Sequence, residues 1–168
     1  STCLVGSEMC IRDSLNTVSS AKPKIADYPF TTLRPHLGTI KYSDNSFVIA
    51  DIPGIIEGAS DGHGLGIKFL KHISRTGILL FFLEAFAEIV PQDQFLKLKK
   101  ELGNFSEKLL EKEFYIVITK IDLIDEETRS EIFSTFNNDE YANVFGISSV
   151  TGEGVQELLD DISRKIFI

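Results

Sequence analysis

A chain of 168 residues with 43% apolar content suits one domain with a sizeable core. Charged residues make up 25%, which is ordinary for a globular chain, and the formal net charge of -8 argues against a general electrostatic grip on nucleic acid while leaving docking through a local patch open. No apolar run approaches the ~18 residues of a membrane span, and no signal-peptide pattern opens the chain. Cys3 and Cys10 make neither a disulfide framework nor a metal spacing, so a reducing cytosol is the expected compartment.

The chain opens Ser1-Thr2-Cys3 without Met and runs almost at once into the end of a buried strand, Cys3-Leu4-Val5, so it reads as one domain of a longer protein. Gly6 begins a loop, and residues 15–20 read as the end of a helix. Residues 21–35 hold Pro23, Pro29 and Pro35 beside Lys22 and Lys24, the composition of an ordered, exposed loop. Residues 37–42 and 47–51 are strands flanking Ser43-Asp44-Asn45-Ser46, a hairpin signal that makes them antiparallel neighbours. The second of these is a short apolar run that breaks at Asp51-Ile52-Pro53-Gly54. A buried strand ending in a carboxylate and a Gly turn places that carboxylate at the carboxyl edge of a sheet, where open α/β sheets bind ligands. Gly54, Gly58, Gly62, Gly64 and Gly66 mark a loop whose backbone moves or closely approaches something.

A helical pattern resumes at Ile67 and ends at Arg75-Thr76-Gly77. Residues 78–83 are apolar on both faces, as a parallel strand covered by helices should be, and residues 84–90 read as its exit loop. Residues 91–110 are helical, with Phe95, Leu96, Leu98, Leu102, Phe105, Leu109 and Leu110 on the apolar side and Gly103-Asn104 a candidate interruption. A fourth apolar strand, residues 114–118, delivers Thr119-Lys120-Ile121-Asp122. An acidic helix over 125–136, a fifth core strand over 144–147, the loop Ser148-Ser149-Val150-Thr151-Gly152-Glu153-Gly154 and a closing amphipathic helix over 154–167 complete the chain. His36, His63 and His72 form no ligand pattern and read as surface or core-edge residues.

The run Asp51-x-Pro53-Gly54, then Ile56-Glu57-Gly58-Ala59-Ser60, the Gly-rich loop and Gly66-Ile67-x-Phe69-Leu70 resembles the phosphate-sensing segment of Ras-like GTPases, and more closely the Obg family of GTPases. Asp27-Tyr28-Pro29-Phe30-Thr31-Thr32-Leu33-x-Pro35 is similar to that family's first switch. The resemblance runs from about Cys3 to near Ile166. It implies that Thr32 gives its hydroxyl to Mg²⁺ and its N–H to the γ-phosphate, with Phe30 and Thr31 beside the nucleotide. Asp51 would hold Mg²⁺ through water, Ile52, Pro53 and Gly54 would line the phosphates with Gly6, and the Gly54 N–H would meet the γ-phosphate. Thr119, Lys120, Ile121 and Asp122 stand where the family has Asn-Lys-x-Asp. Asp122 would accept two hydrogen bonds from guanine, a pattern adenine cannot supply, and the aliphatic stem of Lys120 would cover one base face. Ser148, Ser149 and Val150 resemble the second base-contacting loop, with the Ser149 N–H on guanine O6. Thr119 replaces the expected Asn, so a hydroxyl must do part of a carboxamide's work.

The resemblance breaks between Gly6 and Ser14. In place of G-x-x-x-x-G-K-[ST] stands Gly6-Ser7-Glu8-Met9-Cys10-Ile11-Arg12-Asp13-Ser14, about one residue short when counted back from Lys22-Pro23-Lys24. Ile11 resists the positive φ that Gly tolerates, Arg12 cannot replace a compact ammonium under the loop, and Glu8 and Asp13 add negative charge beside a polyanion. Ile55 occupies the place where Ras-like enzymes carry the Gln that orients the attacking water, so no catalytic side chain is assigned and turnover is expected to be slow. The expected fold is an α/β three-layer Ras-like P-loop NTPase fold, mostly parallel with one antiparallel hairpin strand, forming a single G domain over 1–168 without the flanking domains that Obg-like proteins carry. The expected function is Mg²⁺-dependent GTP binding and hydrolysis by a cytoplasmic, monomeric switch whose partner is a ribosomal subunit under assembly. The alternative is a non-catalytic G-fold that binds a partner and has lost tight nucleotide binding.

Overall fold

The apolar run at residues 78–84 decides the architecture. Every other side chain of a strand faces the same side, and here both sides are packed. Leu79, Phe81 and Leu83 enter one core with Phe95, Leu98 and Leu102, while Ile78, Leu80 and Phe82 enter a second with Leu158, Leu159 and Ile162. A strand buried on both faces must have a helical layer on each, which gives three layers. The computed structural model describes residues 2–5, 24–25, 36–42, 44–51 and 76–167.

Seven strands are described: β1 (Thr2–Val5), β2 (Lys24–Ile25), β3 (His36–Tyr42), β4 (Asn45–Asp51), β5 (Ile78–Glu84), β6 (Glu113–Thr119) and β7 (Val144–Gly146). They lie in one sheet in the order β2-β3-β4-β1-β5-β6-β7. The pairs β1–β4, β1–β5, β5–β6 and β6–β7 are parallel, while β3 is antiparallel to both β4 and β2. The mostly parallel sheet with one reversed hairpin strand is therefore present. The described helices are α1 (Pro91–Phe105), α2 (Glu126–Thr135) and α3 (Val155–Phe167).

Four details differ from what the sequence predicts. Lys24 and Ile25, expected in an ordered, exposed loop, pair with Leu37 and His36 and add an edge strand. Ladder pairing reaches Tyr42 opposite Asn45, so Asn45 and Ser46 belong to β4 and not to the turn. The interruption after α1 falls at Ser106, in extended conformation, and not at Gly103-Asn104. The Ser106 N–H closes the helix on the Leu102 carbonyl at 2.9 Å, and the 3₁₀ turn Glu107–Glu111 then carries Leu109 back into the core. Leu96, assigned to the apolar side, is instead 51% exposed.

The closing helix follows its apolar stripe, with Val155, Leu158, Leu159 and Ile162 buried. It is tied to the sheet by the Tyr115 hydroxyl, which donates to Asp161 Oδ2 at 2.6 Å from a fully buried ring. Burial and that carboxylate push the Tyr115 phenol well above its ordinary range. Asp125 caps α2 by accepting from the Thr128 N–H at 2.7 Å, which holds its carboxyl below the usual aspartate range.

Candidate base-binding site at the carboxyl edge of the sheet

The parallel strands bring their carboxyl ends to one edge. Asp51, the last residue of β4, is in register with Leu4, and Val5 is in register with Phe81. The carboxyl ends of β1 and β4 therefore lie side by side, at the place where the strand order passes from one side of β1 to the other. On the same edge Glu84 is in register with Thr119, and Ile118 with Gly146. Asp51 and the loops after β6 and β7 thus share an edge, as the sequence reading required. Gly6, residues 7–13, Phe30, Thr31, Thr32, Ile52, Pro53, Gly54 and Ile55 lie outside the described residues.

The loop after β6 is built from main-chain bonds to its neighbours. Thr119, 3% exposed, donates its hydroxyl to the Leu83 carbonyl at 3.3 Å, and its own carbonyl accepts from the Ala85 N–H at 3.0 Å. The threonine hydroxyl in the asparagine position thus bonds back to β5. Lys120 follows with φ 59° and ψ 36°, left-handed and, among the described residues, the one positive φ outside glycine. Such a backbone costs roughly 1–3 kcal/mol and persists only where its surroundings hold it. Its surroundings do so on both sides: the ammonium pairs with the Glu84 carboxylate, and the Ile121 N–H bonds the Ile147 carbonyl at 3.3 Å. A 3₁₀ turn, Ile121–Leu123, then sends the Ile121 side chain into the core and leaves Asp122 exposed.

Asp122 is met by the loop after β7. Ser148, wholly buried, donates its hydroxyl to Asp122 Oδ1 at 2.7 Å and accepts from the Thr151 N–H at 3.1 Å. The carboxylate is oriented from below, and its remaining acceptor capacity faces outward. The Ser148 side chain thus supports Asp122 and the start of its own loop. The loop closes on itself, with Ser148 N–H to the Glu153 carbonyl at 3.0 Å and Gly152 N–H to the Ser148 carbonyl at 2.9 Å. Gly152 and Gly154 supply positive φ values of 80° and 73°, and a side chain at Gly154 would overlap the Gly146 carbonyl oxygen. Arg129 on α2 braces the loop through Glu153 Oε1 at 2.8 Å. Ser149 is half-buried beside this frame and Val150 projects outward, 87% exposed.

Four supporting side chains carry no motif in the sequence: Glu84, Gln94, Arg129 and Glu153. The sequence places Glu84 at the start of a loop, but it ends β5 in full register. Its backbone is clasped by Gln94 of α1, whose Oε1 accepts from the Glu84 N–H and whose Nε2 donates to the Glu84 carbonyl, both at 2.9 Å. A glutamine three residues into a helix carries no sign that it will clasp a strand end ten positions away. Among the described residues no cluster of His, Cys, Asp or Glu forms a metal centre, and no helix is long and apolar enough to cross a membrane.

Residues 14–120 match the family of 50S ribosome-binding GTPases. Curated relatives named GTPase Obg include those of Chlorobium phaeobacteroides, 47% identical over 153 residues, and Chloroherpeton thalassium, 50% identical over 153 residues, each covering 90% of this chain. The chain spans 45% and 44% of the length of these two relatives. Among solved structures, Aquifex aeolicus Era bound to GDP and aluminium fluoride is similar over 97% of this chain and 55% of its own, with TM-score 0.69 and 24% identity. The cytosolic domain of the Thermotoga maritima FeoB iron transporter is similar over 97% of this chain and 62% of its own, with TM-score 0.68 and 20% identity. These two structures share the fold.

Proposed function

The chain belongs to the 50S ribosome-binding GTPases as an Obg-type G domain, and on that premise we propose that it binds guanine nucleotides, hydrolyses GTP slowly, and acts as a cytoplasmic, monomeric switch for a ribosomal subunit. Residues 1–168 are read as one G domain. One observation carries the reading: an exposed carboxylate, Asp122, aimed by the buried Ser148 hydroxyl at 2.7 Å on the carboxyl edge of the sheet. A carboxylate held in that way accepts two N–H groups from guanine and leaves the site unsatisfied when adenine enters. The Ser149 N–H takes guanine O6, and the Lys120 stem lies over the base face.

The phosphate side rests on Gly6, Phe30, Thr31 and Thr32 with Asp51, Ile52, Pro53 and Gly54. The carboxylate of Asp51 and the hydroxyl of Thr32 are hard oxygen donors of the kind that Mg²⁺ takes, and Asp51 ends its strand beside β1. Bound there, Mg²⁺ supplies neutralisation of phosphate charge. The Gly54 N–H and the Thr32 N–H hold the γ-phosphate, and release of that hold is the switch. Ile55 has no polar atom with which to orient water, so the chemical step relies on binding geometry alone.

The sequence over residues 7–13 favours a second reading, a partner-binding G-fold with little hold on the phosphates. Competition against a fluorescent GDP analogue separates the two. The nucleotide-switch reading expects GDP and GTP to displace the probe at least about tenfold better than ADP and ATP, with slow phosphate release from GTP. Equal displacement by adenine nucleotides overturns the guanine site. A chain that does not bind the GDP probe measurably and releases no phosphate from GTP belongs to the second reading.

A further inference from the structure

The pair Glu84–Lys120 joins the end of β5 to the base-binding loop, and sheet stability does not account for it. Strands β5 and β6 are already paired along their whole length, from Ile78 opposite Glu113 to Glu84 opposite Thr119. A partly exposed ion pair at the end of such a ladder contributes little to holding it. What the pair does restrain is the side chain of Lys120, a long flexible stem on a left-handed residue. The carboxylate that holds it is itself well placed. Gln94 fixes the Glu84 N–H and carbonyl at 2.9 Å each and donates to the Ile89 carbonyl at 2.7 Å, so the exit of β5 is tied to α1 on both sides of the turn. The Ala85 N–H bonds the Thr119 carbonyl at 3.0 Å, so the two strand ends are also joined through their backbones directly beneath the pair.

We propose that Glu84 is a positioning residue of the base site: held on the end of β5 by the Gln94 clasp, its carboxylate anchors the Lys120 ammonium and so sets the stem of Lys120 in the place where it covers a guanine face. The inference rests on the guanine-nucleotide reading above. An anchored stem has surrendered its rotamer freedom before the ligand arrives, so base stacking costs less when it forms. An opposite role is available to the same carboxylate: a negative charge at the sheet edge would repel the phosphates. The two roles predict opposite signs. Loss of an anchor weakens binding equally for di- and triphosphate, whereas loss of a repelling charge tightens it, more for the triphosphate.

The test uses the whole 168-residue chain. Dissociation constants for fluorescent GDP and for a fluorescent non-hydrolysable GTP analogue are measured for the unaltered chain, Glu84→Gln, Lys120→Met and the double variant. Amide hydrogen exchange is followed in the nucleotide-free state of the unaltered chain and Glu84→Gln. The anchor role expects Glu84→Gln to weaken both ligands by the same factor, about threefold to fivefold. It expects no further loss when Glu84→Gln is added to Lys120→Met, an unchanged unfolding midpoint, and faster exchange confined to the Lys120 to Leu123 turn. Unchanged affinity overturns the proposal, as does tighter binding that grows with phosphate number, or the same loss in the Lys120→Met background. A chain that binds neither ligand refutes the guanine reading. The exchange measurement then still decides whether Glu84 holds the loop, because an unaltered turn in Glu84→Gln means that it does not.

Discussion

Ser148 and Asp122 are 26 positions apart in sequence, and the hydroxyl of one donates to the carboxylate of the other at 2.7 Å. The serine is wholly buried and the aspartate exposed, so an interior group dictates the orientation of a surface one. A hydrogen bond to a charged group contributes roughly 1.5–3 kcal/mol. Ser148→Ala removes it and also leaves the Thr151 N–H without its acceptor. We expect affinity for GDP to fall about tenfold and unfolding free energy to drop by roughly 1–2 kcal/mol, read by titration and by urea denaturation. Unchanged GDP affinity in a folded Ser148→Ala chain would remove the serine from any role in aiming Asp122.

Asp122→Asn exchanges an acceptor pair for a donor and an acceptor. The carboxamide no longer matches the two N–H groups of guanine, but it matches xanthine, which presents a carbonyl where guanine presents its amine. The expected outcome is a loss of GDP affinity on the order of a hundredfold and a gain for xanthosine diphosphate, measured by competition. Retained guanine preference would show that Asp122 does not read the base.

Gly152 and Gly154 sit two residues apart with similar φ values, 80° and 73°, but their surroundings differ. A Cβ at Gly152 meets nothing within 4 Å, whereas one at Gly154 overlaps the Gly146 carbonyl oxygen. Gly152→Ala should cost only the backbone strain of the left-handed region, about 1–2 kcal/mol. Gly154→Ala adds the displacement of β7 from its loop and should cost at least about 3 kcal/mol. Equal losses in urea denaturation would contradict the close packing of Gly154 on β7.

On the guanine-nucleotide reading, residues 6–14 would set how firmly the phosphates are held. A Gly-Lys-Ser ending offers a glycine free to adopt positive φ and a compact ammonium, and Ile11-Arg12-Asp13 offers neither. A deficit of about 4 kcal/mol corresponds to roughly a thousandfold in affinity. The unaltered chain should therefore bind GDP and GTP far more weakly than the same chain rebuilt with a Gly-x-x-x-x-Gly-Lys-Ser loop of full length, and the rebuilt chain should hydrolyse GTP faster. Submicromolar GDP binding by the unaltered chain would refute this, and a rebuilt chain that stays unable to bind would favour the partner-binding fold.

Much of the fold was legible from local pattern. The apolar runs at 78–83 and 114–118 identify themselves as strands buried on both faces, the stripe of Val155, Leu158, Leu159 and Ile162 identifies a covering helix, and alternation of strand with helix implies the layers between them. Thr119 to Asp122 and Ser148 to Gly154 were recognisable because each is a short motif at the end of such a strand. These signals depend on residues a few positions apart, and hydrophobic burial enforces them wherever the pattern occurs. The support beneath the site was not legible. Whether Glu84 reaches Lys120, Ser148 reaches Asp122 or Arg129 reaches Glu153 depends on sheet register and on the lie of a helix over it, across separations of 36, 26 and 24 positions. A polar side chain in sequence carries no mark of its partner, because a hydrogen bond or ion pair is decided by angstroms of placement that only the packed sheet and its helices supply. The edge strand at Lys24–Ile25 was hidden for a related reason: two residues have no period, and only the open side of β3 made them a strand. The sequence alone therefore determined which groups stand at the carboxyl edge, and the tertiary structure decided which of them hold one another in position there.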